Sequence, residues 1–194
     1  MISLELKKKQ QEILDEAIVL LKQKGYSAMS MRDLASALGM RAASLYAHLN
    51  SKEQILEWIC FGLAADFFDA LNDARNSGLK DEQLLVYFVK KHLEVVLKNP
   101  DITGIYANEW RHLDGRLDEF VELRRQYETD VRELLITVLP SVASSAGSAG
   151  FSTKYLLYTL NSSYLWFRKQ DSGKTRKVKA VVEKVLYGLV GSKG

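Results

Sequence analysis

The stretch Ser30–Lys52, SMRDLASALGMRAASLYAHLNSK, decides the fold. Ser30 followed three residues later by Asp33 is a capping-box-like start: the hydroxyl accepts an orphan backbone N–H while the acid reaches back. It predicts a short helix over Met31–Leu38, with Leu34, Ala35 and Leu38 inward and Ala35 small enough for a second helix to cross closely. Gly39 supplies the sharp turn. A second short helix then runs from about Arg41 to Leu49, burying Leu45 and Leu49, four apart, and leaving Arg41, Ser44, Tyr46 and His48 on its remaining faces. This is helix-turn-helix spacing.

The outward residue types suit DNA. A guanidinium meets a guanine edge or a phosphate, and a hydroxyl, a phenol and an imidazole meet phosphate oxygens. Lys52 adds a cation at the start of the next helix, where backbone N–H groups already favour phosphate. Periodicity alone equally allows a plain helical hairpin whose Tyr46 and His48 are ordinary surface or core residues.

Outward from this unit the chain reads as helices. Before it, Ile13, Ala17 and Leu20, with Leu14, Ile18 and Leu21 beside them, give the helical i, i+3, i+4, i+7 pattern over Glu5–Lys24, closed by Gly25. After it, Ser51 and Gln54 form a second capping box opening a helix over Lys52–Arg75. Asp81 is expected to cap a helix reaching Asn99, which Pro100 ends. Further helices are expected over Asp101–Leu113, Arg116–Leu139, Phe151–Arg168 and Thr175–Val190, with a loop over Pro140–Gly150 and a basic turn over Lys169–Lys174. The fold class is all-α, with about nine helices, divided into residues 1–50 and 51–194.

Composition agrees. Of 194 residues, 47% are hydrophobic and 26% charged, which fits a globular chain, and only 2 are proline. The single cysteine, Cys60, excludes a disulfide framework or a multi-cysteine metal site and suits a reducing compartment. No apolar run reaches the ~18–20 residues that span a bilayer, so a cytoplasmic protein with no membrane role is expected. The net charge of +3 is small, and residues 1–60 hold eight bases against seven acids. So few cations per protomer predict that tight DNA binding needs two copies, reading a near-palindrome with recognition helices about 34 Å apart.

The order of residues goes further than their period. Leu34-Ala35, Gly39, Leu45-Tyr46, His48-Leu49 and Lys52-Glu53, preceded by Gly25-Tyr26, resemble the DNA-binding segment of the TetR (tetracycline-repressor-type) family over about fifty residues. The resemblance implies a ligand-responsive transcriptional regulator, most often a repressor. In it Arg41 and Ser44 read bases, and Ser30, Tyr46, His48 and Lys52 hold phosphates; groove chemistry leaves Ala42 or Ala43 to touch a thymine methyl. Where many members have a basic residue and then glycine, this chain has Ala42-Ala43, so Arg41 is the one long basic side chain on the helix.

The resemblance also implies that the remaining helices hold a small effector and dimerise through the last two. The helix over Phe151–Arg168, with Thr159, Ser162 and Ser163 among aromatics, and the last helix, with Val178, Val181, Val182, Val185, Leu186, Leu189 and Val190, are compatible with a four-helix seam between two copies. Trp58, Phe61, Tyr87, Tyr106, Trp110, Arg111, Tyr127 and Tyr158 are the candidate effector residues, although most such aromatics serve a core. The short helix carrying Tyr106–His112 is a candidate moving element between the two parts. Asn108–Arg111 and the run from Phe120 through Arg124-Arg125 to Tyr127 are similar to a subgroup sensing acyl-coenzyme A esters, in which Arg111, Arg124 and Arg125 would pair with phosphates. The plainer reading pairs these arginines with Glu109, Glu122, Glu128 and Asp130.

Catalysis is the chief alternative, and a helical adaptor without DNA the other. Glu109-x-x-His112 has the spacing of one half of a helical di-iron site, but a second copy is missing from the sequence. There is no phosphate loop, nucleophile elbow or HExxH, and no motif calls for a cofactor or a metal. His92, beside Lys91, has no evident partner.

Overall fold

The computed structural model describes residues 6–140, 148–166 and 174–190. Among these it contains nine α-helices, two short 3-10 helices and no strand. The helices are α1 Lys8–Ala28, α2 Met31–Ala37, α3 Ala42–Leu45, α4 Lys52–Arg75, α5 Asp81–Lys98, α6 Pro100–Glu109, α7 Leu117–Val138, α8 Ser148–Ser162 and α9 Lys174–Val190. The 3-10 turns cover Trp110–His112 and Ser163–Trp166.

The chain forms two compact units, Met1–Ala65 with Asp101–Val121, and Asp66–Pro100 with Glu122–Gly194. Helices α4 and α7 each contribute to both. In the first unit α1 buries Ile13, Leu14, Ala17, Ile18, Leu20 and Leu21, the apolar stripe expected of it. Phe61, Tyr106 and Trp110 gather around Phe120, the first two at 5.5 Å and the third at 6.1 Å between ring centroids. In the second unit α5 packs on α8, α9 and the 3-10 turn after α8. Leu85, Phe88, Val89, Leu93 and Val96 of α5 are buried there, with Val131, Leu135, Leu156 and Leu160.

Several ends differ from the sequence expectation. Gly25 has φ 75°, a left-handed conformation, but it kinks α1 rather than closing it: one more turn runs to Ala28, and Met29 N–H donates to the Gly25 carbonyl at 3.2 Å. Asp81 does not cap α5; it is the first helical residue, and Lys80 holds the cap position without a side-chain bond. Pro100 both stops α5 and opens α6, where its missing N–H costs nothing. The expected helix over Asp101–Leu113 tightens into a 3-10 turn after Glu109, and α8 begins at Ser148 rather than Phe151. Most of the Pro140–Gly150 loop and of the basic turn Lys169–Lys174 lies outside the described residues.

Candidate nucleic-acid interface

The scaffold of the helix-turn-helix is built from short-range bonds. Ser30 Oγ accepts the Asp33 N–H at 3.1 Å and Ser30 N–H donates to Asp33 Oδ2 at 2.9 Å, so the capping box closes in both directions. The Ser30 N–H, then the Ser30 hydroxyl, which donates to Oδ2 at 2.8 Å, and Lys24 at 3.1 Å hold the Asp33 carboxyl down at about 2. At the turn Gly39 adopts φ 63°, and Met40 N–H donates to Ala35 O at 2.8 Å. Leu34, Ala35, Leu45 and Leu49 are buried and fix how the two helices cross.

The second helix is shorter than its sequence suggests. Only Ala42–Leu45 is α-helical, with Arg41 at the cap position. Beyond Leu45 the bonds tighten, Ala47 N–H to Ser44 O at 3.3 Å and His48 N–H to Leu45 O at 3.0 Å, so Tyr46–His48 form a turn. Gln10 of α1 donates from Nε2 to the His48 carbonyl at 3.1 Å and anchors that turn.

Arg41, Ser44 and Tyr46 are exposed, Tyr46 at 49% of its surface, while Leu45 between them is fully buried. Ser30 is exposed, but its hydroxyl already donates to Asp33 Oδ2 at 2.8 Å. Ala42 and His48 are half-buried. Lys52 is half-buried too: its ammonium sits 4.1 Å from the centroid of the Tyr26 ring, and removal from water is what lowers its pKa. The Tyr26 ring in turn stacks on His112 at 4.9 Å. Burial, then the carboxylates of Glu53, Asp114 and Glu57, push the Tyr26 phenol up to about 12.

The eight candidate effector residues divide between the units. Trp58, Phe61, Tyr106, Trp110 and Arg111 belong to the first, and Tyr87, Tyr127 and Tyr158 to the second. Trp58, Phe61, Tyr106 and Tyr127 are buried in packing, and Arg111 is exposed with its guanidinium 4.6 Å from the Trp110 ring. Tyr87 lines an open surface groove of about 680 Å³ with Leu79, Val86 and Lys90. Tyr158 is 72% exposed on α8. Arg125 pairs with Glu122 at 3.6 Å, as the plainer reading has it.

The sequence missed one polar centre. In the second unit His92 is fully buried, with Nδ1 at 2.9 Å from the Tyr127 hydroxyl and Nε2 at 2.9 Å from Asn161 Oδ1. Its partners lie 35 and 69 residues away in the chain, beyond any local pattern. The Glu109-x-x-His112 pair is a side-chain contact of 3.5 Å, Nε2 to Oε2, and among the described residues no cluster of three or more metal-ligating side chains occurs. Among the same residues no helix is long and apolar enough to cross a membrane.

A capped helix, a left-handed glycine turn and a second helix with an open polar face define a DNA-binding helix-turn-helix module. The family models agree: residues 13–59 match the model of bacterial regulatory proteins of the tetR family, and residues 78–187 that of the tetracyclin repressor-like C-terminal domain. The chain belongs to the TetR family. It is 33% identical over 128 residues to the transcriptional repressor KstR2 of Rhodococcus jostii, a match covering 66% of this chain and 62% of that protein. Among solved structures, PfmR of Thermus thermophilus has a TM-score of 0.78 at 26% identity, covering 94% of this chain and 99% of that one. AibR, solved with isovaleryl coenzyme A and operator DNA, shares the fold with a TM-score of 0.75 at 19% identity, over 92% of this chain and 96% of that one. The family is one of regulators, and the enzymatic reading of Glu109 and His112 is set aside with it.

Proposed function

We propose that the chain is a transcriptional repressor that reads a near-palindromic operator as a homodimer and is released by a small hydrophobic or amphipathic effector. Residues 1–50, with Lys52 at the start of α4, supply the DNA contact, and residues 51–194 the receiver and the dimer surface. The observation that carries the reading is the face of the second helix: Arg41, Ser44 and Tyr46 lie open while Leu45 and Leu49 pin the helix from behind. In it Arg41 and Ser44 read base edges, Ala42 a thymine methyl, and Ser30, Tyr46, His48 and Lys52 the phosphates.

The dimer part is supported by exposed apolar side chains on the last two helices and the turn after the first of them. Phe151, Tyr158, Leu165 and Tyr187 are each more than 60% exposed, a surface that pairing of two copies would cover. For the effector we favour an acyl-coenzyme A ester, on the sequence pattern around Arg111, Arg124 and Arg125. KstR2 supports the repressor sign.

Selection from random duplexes, followed by fluorescence anisotropy of the enriched sequence across a salt series, tests the reading. An enriched inverted repeat bound as a dimer, with affinity falling steeply with salt, is the expected result. Absence of enrichment, or binding by monomers, would overturn it. Adding isovaleryl coenzyme A or longer acyl esters tests the effector: an ester that binds without shifting operator affinity is not one.

A further inference from the structure

Lys52 stands at the first position of α4, where a DNA phosphate is its proposed partner, yet its charge is turned elsewhere. The ammonium lies 4.1 Å over the Tyr26 ring, whose other neighbour is His112 at 4.9 Å and 19° between planes. His112 is held by Glu109, Nε2 to Oε2 at 3.5 Å, and the Glu109 carboxylate is the neighbouring charge whose field favours Lys52 as a cation. The same carboxylate passes 3.5 Å from where a Cβ on Gly25 would stand, so the segment fits closely beside the kink in α1. Glu53 accepts the Gly115 N–H at 2.7 Å, fastening the chain after the 3-10 turn to the start of α4.

From this geometry we propose that Tyr26, Glu109 and His112 form a cage that competes with DNA phosphate for Lys52. The segment Pro100–His112 thereby sets the general affinity for duplex through one cation. The inference rests on the proposed phosphate role of Lys52. It adds a second station for that side chain and names what holds it there. A cation over an aromatic face, in the field of a carboxylate, is held about as strongly as by one phosphate contact, so either station can win as the segment shifts. The cage requires no change at the base-reading residues: it moves affinity for all sequences together.

Glu109→Gln removes the competing charge at constant size. It is expected to tighten binding to a random-sequence duplex by about two- to fivefold, the range of a single partly exposed pair, and to leave the operator-to-random ratio unchanged. In a Lys52→Ala background the gain should vanish. An equal gain in both backgrounds would mean a diffuse electrostatic effect and overturn the cage, as would no gain at all. A second measurement does not depend on variants. In the DNA-free protein the Lys52 side-chain methylene resonances should be displaced upfield by the Tyr26 ring, and that displacement should be lost when the random duplex is added. Duplex binding with the displacement intact overturns the cage alone, whereas failure to bind any duplex overturns the DNA-binding reading itself.

Discussion

The hydroxyl of Tyr127 and the imidazole of His92 meet at 2.9 Å inside the second compact unit, with no surface of His92 left to water. Asn161 Oδ1 has only lone pairs to offer the other ring nitrogen, so Nε2 carries the proton and donates, and Nδ1 accepts the Tyr127 O–H. The ring also stacks on Phe67 at 4.4 Å and 15°. The imidazole is thus satisfied as a neutral group from both sides. Desolvation drops its pKa to about 4.

That depression fixes a pH dependence. Above pH ~6.5 the imidazole is neutral in folded and unfolded chains alike. Between that value and about 4 the unfolded chain takes up a proton that the folded one refuses, so stability falls as pH falls. Across the whole window the loss from this group is about 3 kcal/mol. His92→Leu should lower stability at pH 7, because Tyr127 and Asn161 lose their partner, and should flatten the slope between pH 6.5 and 4. Denaturant titrations at several pH values check this. An unchanged slope in the variant would assign the acid sensitivity to other groups.

Gly39 isolates a backbone effect. Its φ of 63° is left-handed, and a Cβ there would meet no heavy atom within 4 Å. Gly39→Ala should therefore cost only the conformational penalty, roughly 1–2 kcal/mol, with no steric clash added. Asn, which tolerates this conformation better, should cost less than Ala. A thermal-unfolding series of the three proteins at one pH gives the ranking, and equal stability of Ala and Gly would contradict the left-handed turn.

The readable parts of this chain are those set by neighbours in sequence. The Ser30–Asp33 box and the span of α4 are local chemistry, and the structure has them where the residues place them. Ser51 caps as expected through the Gln54 N–H at 3.2 Å, although the Gln54 side chain reaches back to Asn50 rather than to Ser51. The short second helix was not readable, because what ends it is the packing of Leu45 and Leu49 and the bond from Gln10, thirty-eight residues away. The same holds for His92: its partners come from α7 and α8, and no spacing on α5 announces them. Lys52 shows a second kind of gap, since its motif gives a role but not the ring it rests on.

Close approach of the last two helices offers a test of the dimer surface. A Cβ at Gly188 would overlap the phenol of Tyr155, whose ring carbons lie within 2.9 Å of it. Gly188→Ala should therefore displace Tyr155 and cost roughly 1–3 kcal/mol, as overpacking does. Tyr155→Ala should restore most of the loss in the double variant. Because both positions lie on the helices proposed to pair between copies, sedimentation should show weaker dimerisation for Gly188→Ala than for the parent. Sedimentation unchanged, with stability lowered, would move the dimer surface elsewhere.

Arg41 and Tyr46 separate the two kinds of DNA contact. Arg41 is exposed at the cap of the second helix, with no ion pair to a carboxylate among the contacts described, so its substitution should leave the fold intact. Arg41→Ala should cost roughly 1–3 kcal/mol on the selected operator and far less on a random duplex, because a bidentate base contact discriminates where a phosphate contact does not. Tyr46→Phe keeps the ring and removes the hydroxyl. It should weaken both duplexes by a similar factor of a few. Anisotropy titrations of the two variants on the two duplexes give four affinities, and the ratio within each variant is the deciding quantity. If Arg41→Ala lowers both affinities equally, Arg41 is a phosphate contact and the bases are read from Ser44 and Ala42 instead.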